Sequence, residues 1–305
     1  MNKKLSLLFF ICILSALNIN AEVYEGSCGT NVRYSLDTST GVLNITGTGA
    51  MTNYSSSSSV PWDSYRSYIK TVEISDGLSS IGEKAFRYCS NLTSVIIPNS
   101  VTGIGRYAFA DCTSLTSVKI SDNLTSIAQS TFESCSSLTS ITVPNSVTSI
   151  IKYAFRRCTS LTSVVLGNNV ASIGNDVFSG CSSLTDMYSY AENIPTTDYE
   201  AFNSQNLSTS TLHVPASTLE AYKTTAPWSQ FGTIEAIPDG VLRGDANGDG
   251  EVNTNDADFI VDYMLGTPAV TFNKEAADAN QDGEIGMPDV MFIVNHNLNG
   301  NFPEE

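Results

Sequence analysis

Histidine is nearly absent from this 305-residue chain: His213 and His296 are the only two. Nucleophilic hydrolases of the Ser–His–Asp or Cys–His kind need an imidazole beside the nucleophile. One of the two histidines falls on a repeated strand and the other in the tail, so no such arrangement is evident. Basic residues are also scarce. Fifteen Lys and Arg stand against 31 Asp and Glu, a formal net charge of −16. On that balance electrostatic binding to nucleic acid by the chain as a whole is not expected. Long apolar runs are missing after the first residues, so no later segment could span a bilayer.

The one apolar run is at the start. Lys3 and Lys4 precede Leu5 to Leu17, and the small Ala21 stands before Glu22. This is the layout of a secretory signal peptide over residues 1–21. The run is shorter than the roughly 20 residues a membrane helix requires; a retained anchor is the alternative. Cys12, between Ile11 and Ile13, lacks the small residues that precede a lipid-modified cysteine. Loss of Lys3 and Lys4 with the leader takes the formal charge to −18. The expectation is a secreted or cell-surface protein with no membrane span after leader removal.

What the chain has in abundance is order at a fixed step. Cys89, Cys112, Cys135, Cys158 and Cys181 follow one another every 23 residues, as do Phe86, Phe109, Phe132, Phe155 and Phe178. Leu92, Leu115, Leu138, Leu161 and Leu184 keep the same step. A strict period of this length means a solenoid, and Leu92-x-x-Val95-x-Ile97 is a leucine-rich-repeat core. Alternation along each strand points Ile96, Lys119, Thr142 and Val165 outward, with Tyr188 and His213 continuing the row. Beside them run Ser94, Ser117, Ser140, Ser163 and Asp186. Pro98, Pro144 and Pro215 close strands. One coil cannot bury its own apolar side, so Phe, Leu and Val must stack on the next coil. Parallel side chains on coils about 4.7–4.9 Å apart do not suit disulfides, whose Cβ atoms sit about 3.8 Å apart. The cysteine column therefore reads as buried thiols filling space, with bridging as the alternative; Cys28 pairs with nothing in register.

Atypical ends must shield such a stack. Residues 22–70 supply one cap, with strands at Val32–Leu36 and Gly41–Ile45 and the anchor Trp62. Residues 71–237 hold the coils and a second cap. There Thr211–Pro215 is a last strand, and Leu219, Tyr222, Trp228 and Phe231 mark a short amphipathic helix. The units Ala85–Gly105 and Thr131–Ile150 resemble BspA-like leucine-rich repeats of bacterial surface proteins, over about residues 26–237. The opening Gly26–Tyr54 resembles the cap found with them. The resemblance implies a secreted or cell-surface module of a bacterium that binds or adheres to an unidentified protein or glycan, without catalysis.

The tail differs in composition. From Gly244 onward it holds 13 of the 31 acidic residues and one basic residue, Lys274. A short linker at 238–243 sets it off. Ca²⁺ takes oxygens from positions 1, 3, 5, 7, 9 and 12 of a 12-residue loop, with Gly at 6. Asp245, Asn247, Asp249, Glu251 (through its carbonyl), Asn253 and Asp256 fill those slots around Gly250. Asp278, Asn280, Asp282, Glu284 and Asp289 repeat them around Gly283. Two matches predict two Ca²⁺ sites. Val252 and Ile285 occupy position eight, where paired loops touch. Position twelve is Asp, and only exiting helices are visible, at 257–265 and 290–298. Phe259, Ile260, Tyr263 and Met264 mark one face of the first; Phe292, Ile293 and Leu298 mark that of the second.

Paired loop-and-exit-helix units resemble a type I dockerin over residues 244–300. The resemblance implies a calcium-folded plug for a cohesin module on a scaffold protein. It implies recognition through loop positions ten and eleven, here Thr254-Asn255 and Met287-Pro288. The expected fold is thus a β-rich leucine-rich-repeat solenoid of 23-residue coils with two caps, plus a small all-α calcium-binding domain. The expected role is a non-catalytic component of a cellulosome-like complex. Two alternatives stand: an accessory or enzyme component of polysaccharide degradation, and an adhesin whose calcium module only caps its own chain. For an enzyme, paired carboxylates could serve, but the acids of the repeats (Asp76, Glu83, Asp111, Asp122, Glu133) sit at coil corners.

Overall fold

The computed structural model describes residues 22–198, 200–202, 207–237, 244–248, 252–266, 273–279 and 284–299. The leader expected at 1–21 and the linker at 238–243 lie outside them.

The 23-residue step becomes parallel strand register. Ser94 pairs with Ser117 and Ile96 with Lys119; Ser140 pairs with Ser163 and Thr142 with Val165. The Ser163–Leu166 strand continues onto Asp186–Ser189, and that onto Thr211–Val214. Strands of three or four residues suffice, because each is buried on one face and paired on its edges. A second row of two-residue strands, Ser126–Ile127, Ser149–Ile150 and Ser172–Ile173, runs along another side of the coil. Inside lies a continuous aromatic column. Trp62 stacks on Phe86, and Phe86, Phe109, Phe132, Phe155, Phe178 and Phe202 follow with ring centroids 5.1–5.8 Å apart. Each Phe from 86 to 178 is fully buried.

The return segment explains how the coil closes. Among the described residues nine non-glycine positions have φ between 54° and 66°: Lys84, Tyr107, Ser130, Tyr153 and Asp176 in one column, and Tyr88, Asp111, Ser134 and Arg157 in another. Gly180 completes the second column at φ 76°. This left-handed region is costly for side-chain-bearing residues. The reason for it is hydrogen bonding along the axis. The amides of Lys84, Tyr88, Tyr107 and Arg157 donate to the carbonyls of Arg106, Ala110, Gln129 and Ser179 on the following coil, at 2.8–3.1 Å. A turn that kept φ negative would leave those groups without their ladder.

The cysteine column consists of buried free thiols. Cys112, Cys135, Cys158 and Cys181 each donate to the carbonyl of Phe86, Phe109, Phe132 and Phe155 on the preceding coil, at 3.2–3.3 Å. Burial pushes the Cys89 thiol up to about 12 and Cys28 to about 11, and Cys112 and Cys158 well above their ordinary value. The thiolate is the reactive form. Iodoacetamide at pH 8 is therefore expected to leave these six cysteines unmodified in native protein and to label all six in denaturant, read by intact mass. Rapid labelling of the native chain would show an open column.

The N-terminal cap carries two strands more than expected, Val23–Ser27 and the two-residue Gly49–Ala50, and the C-terminal cap one. At the N-terminal end Val23–Ser27 pairs antiparallel with Val32–Asp37, which pairs with Val42–Gly47. Val42–Gly47 then runs parallel to Thr71–Ile74, converting a meander into the solenoid. Trp62 seals this end, its Nε1 donating to the Ala85 carbonyl at 3.0 Å. At the other end Thr211–Val214 is not the last strand: Thr233–Ala236 adds to it in parallel. α1 (Leu219–Thr224) carries the buried Tyr222, and Trp228 and Phe231 lie against Phe202 edge-on. An edge-on ring ends the column because it offers no flat face to another coil.

Candidate functional site

The tail builds a second, separate cluster of buried residues. Ala246, Ala257, Ile260, Ala277, Ala279 and Ile293 form it, with Val252, Ile285, Phe259 and Phe292 packed against it. Val252 and Ile285, the position-eight residues of the two loops, thus share one core. Three helices surround it: α2 (Thr254–Met264), α3 (Lys274–Ala277) and α4 (Met287–Asn299). The short α3 is additional to the two expected helices. It enters the second loop and is capped by Asn273, whose side chain accepts from the Ala276 amide at 3.2 Å. Four residues carry no periodic signal, so it was not legible as a helix. Met264 is exposed rather than part of the buried face. The core takes Ala257 and Ile260, one turn earlier on α2. The side chain of Leu298 lies outside the described residues.

Both loops close by the same contact. The amide of position nine donates to the carboxylate of position twelve: Asn253 to Asp256 at 2.7 Å, and Gly286 to Asp289 at 2.8 Å. Asp256 accepts a second bond from the Asn247 amide at 3.1 Å, which draws positions three and twelve of the first loop together. Asn253 also caps α2, accepting from the Asn255 amide at 2.8 Å. Asp at position twelve therefore serves as helix cap and loop clasp.

The donor set fits a hard divalent cation. Asp245, Asp256 and Asp289 are buried carboxylates, and carboxylates taken out of water are stabilised by paired or coordinated positive charge. Oxygen donors at this spacing suit Ca²⁺. Asp249, Glu251, Asn280 and Asp282 lie outside the described residues. Among the described residues no group of three or more His, Cys, Asp or Glu side chains is gathered closely enough to hold an ion. Asp278 and Glu284 begin and flank the second loop, half-buried and exposed respectively.

The pairs expected to read a partner differ in setting. Thr254 is exposed and Asn255 half-buried, whereas Met287 is 52% exposed and Pro288 is open to solvent beside it. Met291, one turn along α4, is 62% exposed. Sequence reasoning passed over it, although the Met287/Met291 spacing of four is the available signal.

On the solenoid the outer row forms two ladders, because the Ser117–Lys119 and Ser140–Val143 strands belong to different sheets. Ile96 pairs with Lys119, Thr142 with Val165, Val165 with Tyr188 and Tyr188 with His213. Ile96 is 65% exposed, but Val165 is only 3% exposed. Flanked in register by Thr142 and Tyr188 and lining a cleft with Tyr190, it is covered despite its outward position. That cleft, about 470 Å³, is bounded by Ile96, Lys119 and Thr142 and by Asp258 and Phe259 of α2. Lys119 Nζ stands 3.7 Å from Asp258 Oδ2. Both groups are well exposed, and such a pair contributes about 0–1 kcal/mol. His213 stacks on Tyr188 at 4.1 Å. Its Nε2 lies 3.4 Å from Asp186 and its Nδ1 3.1 Å from Glu235. Carboxylates on both ring nitrogens make it a clamp across the last three strands of the sheet. Among the described residues no helix is long and apolar enough to cross a membrane.

Stacked parallel coils of 23 residues with a leucine, phenylalanine and cysteine column define a leucine-rich-repeat protein, here with a helical tail built on two acidic loops. The profile described as "BspA type Leucine rich repeat region" matches in six copies over residues 64–185 and 105–223. The chain belongs to that family. The profile "Dockerin type I domain" matches residues 243–298, so the tail is a type I dockerin domain. Dockerins of this type generally bind calcium and imply a cohesin-bearing partner. Both families are typically non-catalytic binding modules found outside the cell or at its surface.

Among solved structures, a leucine rich cell surface protein from Faecalibacterium prausnitzii is 29% identical over 52% of this chain and 38% of its own, with a TM-score of 0.40. The chain therefore spans well under half of that protein. The leucine rich repeat protein of T. pallidum is 19% identical over 85% of this chain and 98% of its own, at 0.41. The pneumococcal vaccine antigen PcpA is 17% identical over 56% and 42%, at 0.47. No curated protein matches the chain.

Proposed function

We propose that this chain is a secreted, non-catalytic binding protein that is plugged into a multiprotein complex by its tail. The solenoid, residues 71–237 with its N-terminal cap at 22–70, holds a protein or glycan surface. Residues 244–300 bind two Ca²⁺ ions and dock to a cohesin. Calcium supplies the positive charge that gathers each loop's oxygens. The chain's own part is to present them, from Asp245, Asn247, Asp249, Glu251, Asn253 and Asp256 and from Asp278, Asn280, Asp282, Glu284 and Asp289. The observation that carries this reading is the clasp from position nine to position twelve, repeated in both loops beside buried carboxylates. Polysaccharide breakdown enters through the company a cohesin-bearing scaffold keeps, rather than through catalysis by this chain.

The test is capture of the full chain by immobilised cohesins of the source cell, in calcium and in chelator. Capture in calcium alone supports the reading; capture unaffected by chelator contradicts it. Of the two recognition pairs, Met287-Pro288 with Met291 is the more open. Met291→Asp is expected to weaken capture at least about tenfold, as loss of an apolar anchor from an interface core does, while calcium affinity measured by calorimetry stays the same. Equal capture would assign recognition to Thr254-Asn255.

A second reading, the tail as a cap on its own solenoid, is favoured by the approach of Asp258 to Lys119. Lys119→Glu separates the two. A cap predicts loss of thermal stability in calcium; a free plug predicts none.

A further inference from the structure

We infer that the return edge of the solenoid, not its strand face, is a binding stripe for an extended anionic polysaccharide. The inference rests on the solenoid being the holding module of the proposed function. Six of the chain's 15 basic residues, Lys84, Arg87, Arg106, Lys152, Arg156 and Arg157, fall in the return segments of three coils. The acids in the same stretch are Glu83, Asp111 and Glu133. On a chain of net charge −16 this is a local reversal of sign. At physiological salt the screening length is about 8 Å, so an anion on this edge senses mainly the charges within that distance.

The arginines and tyrosines are interleaved. The Arg87 guanidinium lies 4.5 Å from the Tyr88 ring centroid and 5.0 Å from that of Tyr107. Arg156 lies 5.2 Å and Lys152 5.7 Å from the Tyr153 ring. Asp111 and Glu133 hold Arg87 and Arg156 at 3.2 and 3.5 Å, which fixes their orientation. Arg106, Lys152 and Arg157 are exposed and make no ion pair among the described residues.

Backbone conformation supplies an independent observation. Tyr88, Tyr107, Tyr153 and Arg157 occupy left-handed positions, as do Asp111, Ser130, Ser134 and Asp176 in the same two columns; Lys84 does so too, with its Nζ donating to the carbonyls of Tyr54 and Ser55. The fold requires that conformation for its amide ladder, and glycine meets the requirement without strain, as Gly180 does. Large cationic and aromatic side chains at these sites cost stability that the coil does not need to spend. Outliers of this kind gather where a side chain has a task.

The chemistry selects the partner. Guanidinium forks bind carboxylate or sulfate in two-point fashion, and tyrosine offers an apolar face with a wet tip. A protein interface wants a desolvated apolar core. Ile151 is the only large aliphatic side chain exposed in these segments. Arg106 and Lys152 fall in one column of the return segment and Arg87 and Arg156 in another, with Gln129 and Glu133 on the coil between them, so an extended polymer meets two basic clusters along the edge.

The test uses the full chain in calcium on immobilised hyaluronate, with dextran sulfate, neutral dextran and poly-glutamate as parallel arms. Retention on hyaluronate or dextran sulfate, weakening as salt rises, is expected; the stronger of the two identifies carboxylate or sulfate. Arg106→Glu with Arg157→Glu should lower retention at least about tenfold. Tyr88→Gly should lower retention while leaving the melting temperature unreduced, a combination that a purely structural tyrosine cannot give. Equal retention on neutral dextran, tighter retention on poly-glutamate, or indifference to the arginine pair overturns the inference. Cohesin capture by the same protein is scored separately, so failure here leaves that reading standing.

Discussion

Chelation of calcium is expected to unfold the tail and leave the coils intact. The two parts have separate cores, one running from Cys28 to Phe231 and one confined to residues 246–293. Among the described residues the smaller is built largely of alanine, with Ile260 and Ile293 as its only fully buried large side chains. So small a unit buries too little surface to be stable alone. An ion that binds only the folded form adds about 4 kcal/mol at a thousandfold excess over its dissociation constant. Its loss also brings the loop carboxylates together without compensation. Lys274, the single basic residue of the tail, lies in α3 between the loops and serves as a reporter. Lysyl endopeptidase should cut there slowly in calcium and rapidly in chelator, while sites in the coils remain protected. Asp256→Ala should reproduce the chelated pattern in calcium, because it removes a proposed ligand and the clasp to Asn247 and Asn253 together. Cleavage at Lys274 that ignores chelator would mean that the tail folds without metal.

Replacing Phe132 by alanine is expected to damage the solenoid more than any other single truncation in the column. Its ring is fully buried between Phe109 at 5.5 Å and Phe155 at 5.6 Å, with interplanar angles of 9° and 6°. Phe→Ala in a core costs about 3–5 kcal/mol. Each lost stacking pair adds about 0.5–1.5 kcal/mol beyond area. Whole domains are stable by about 5–15 kcal/mol. In a stack, stability is a sum over coils and the contacts between neighbours, so a central defect weakens two interfaces at once. Calorimetry should show a lower transition that divides into two, one for each side of the defect. Phe202→Ala, beside the C-terminal cap, should lower the transition without dividing it. A single transition moved by less than about 1 kcal/mol would mean that the coils do not depend on this column.

These expectations rest on parts of the molecule that differed in how plainly the sequence announced them. The inner columns were readable because Cys, Phe and Leu recur at one step, and a parallel stack turns that step directly into register. The caps are single occurrences. Val23–Ser27 and Thr233–Ala236 had no repeat to reveal them, and their short alternating patterns compete with many turns of similar composition. The loops were readable from donor spacing, because coordination chemistry restricts residue type. What escaped was the left-handed geometry of the return segment. Tyr88, Tyr107 and Arg157 are not residues that signal positive φ, and Gly180 alone hinted at it. Burial of Val165 escaped for another reason: alternation gives the side of a sheet, not what lies over it.

The 23-residue register has one more consequence. The strand and ring contacts that build the coil stack run to the coil before or after, and the caps pair only with the end coils. Gaining or losing one whole coil in frame therefore changes nothing at either terminus. Span becomes a dial that evolution can turn in increments of about 5 Å, the distance between neighbouring strands, lengthening the sheet while the two caps stay as they were.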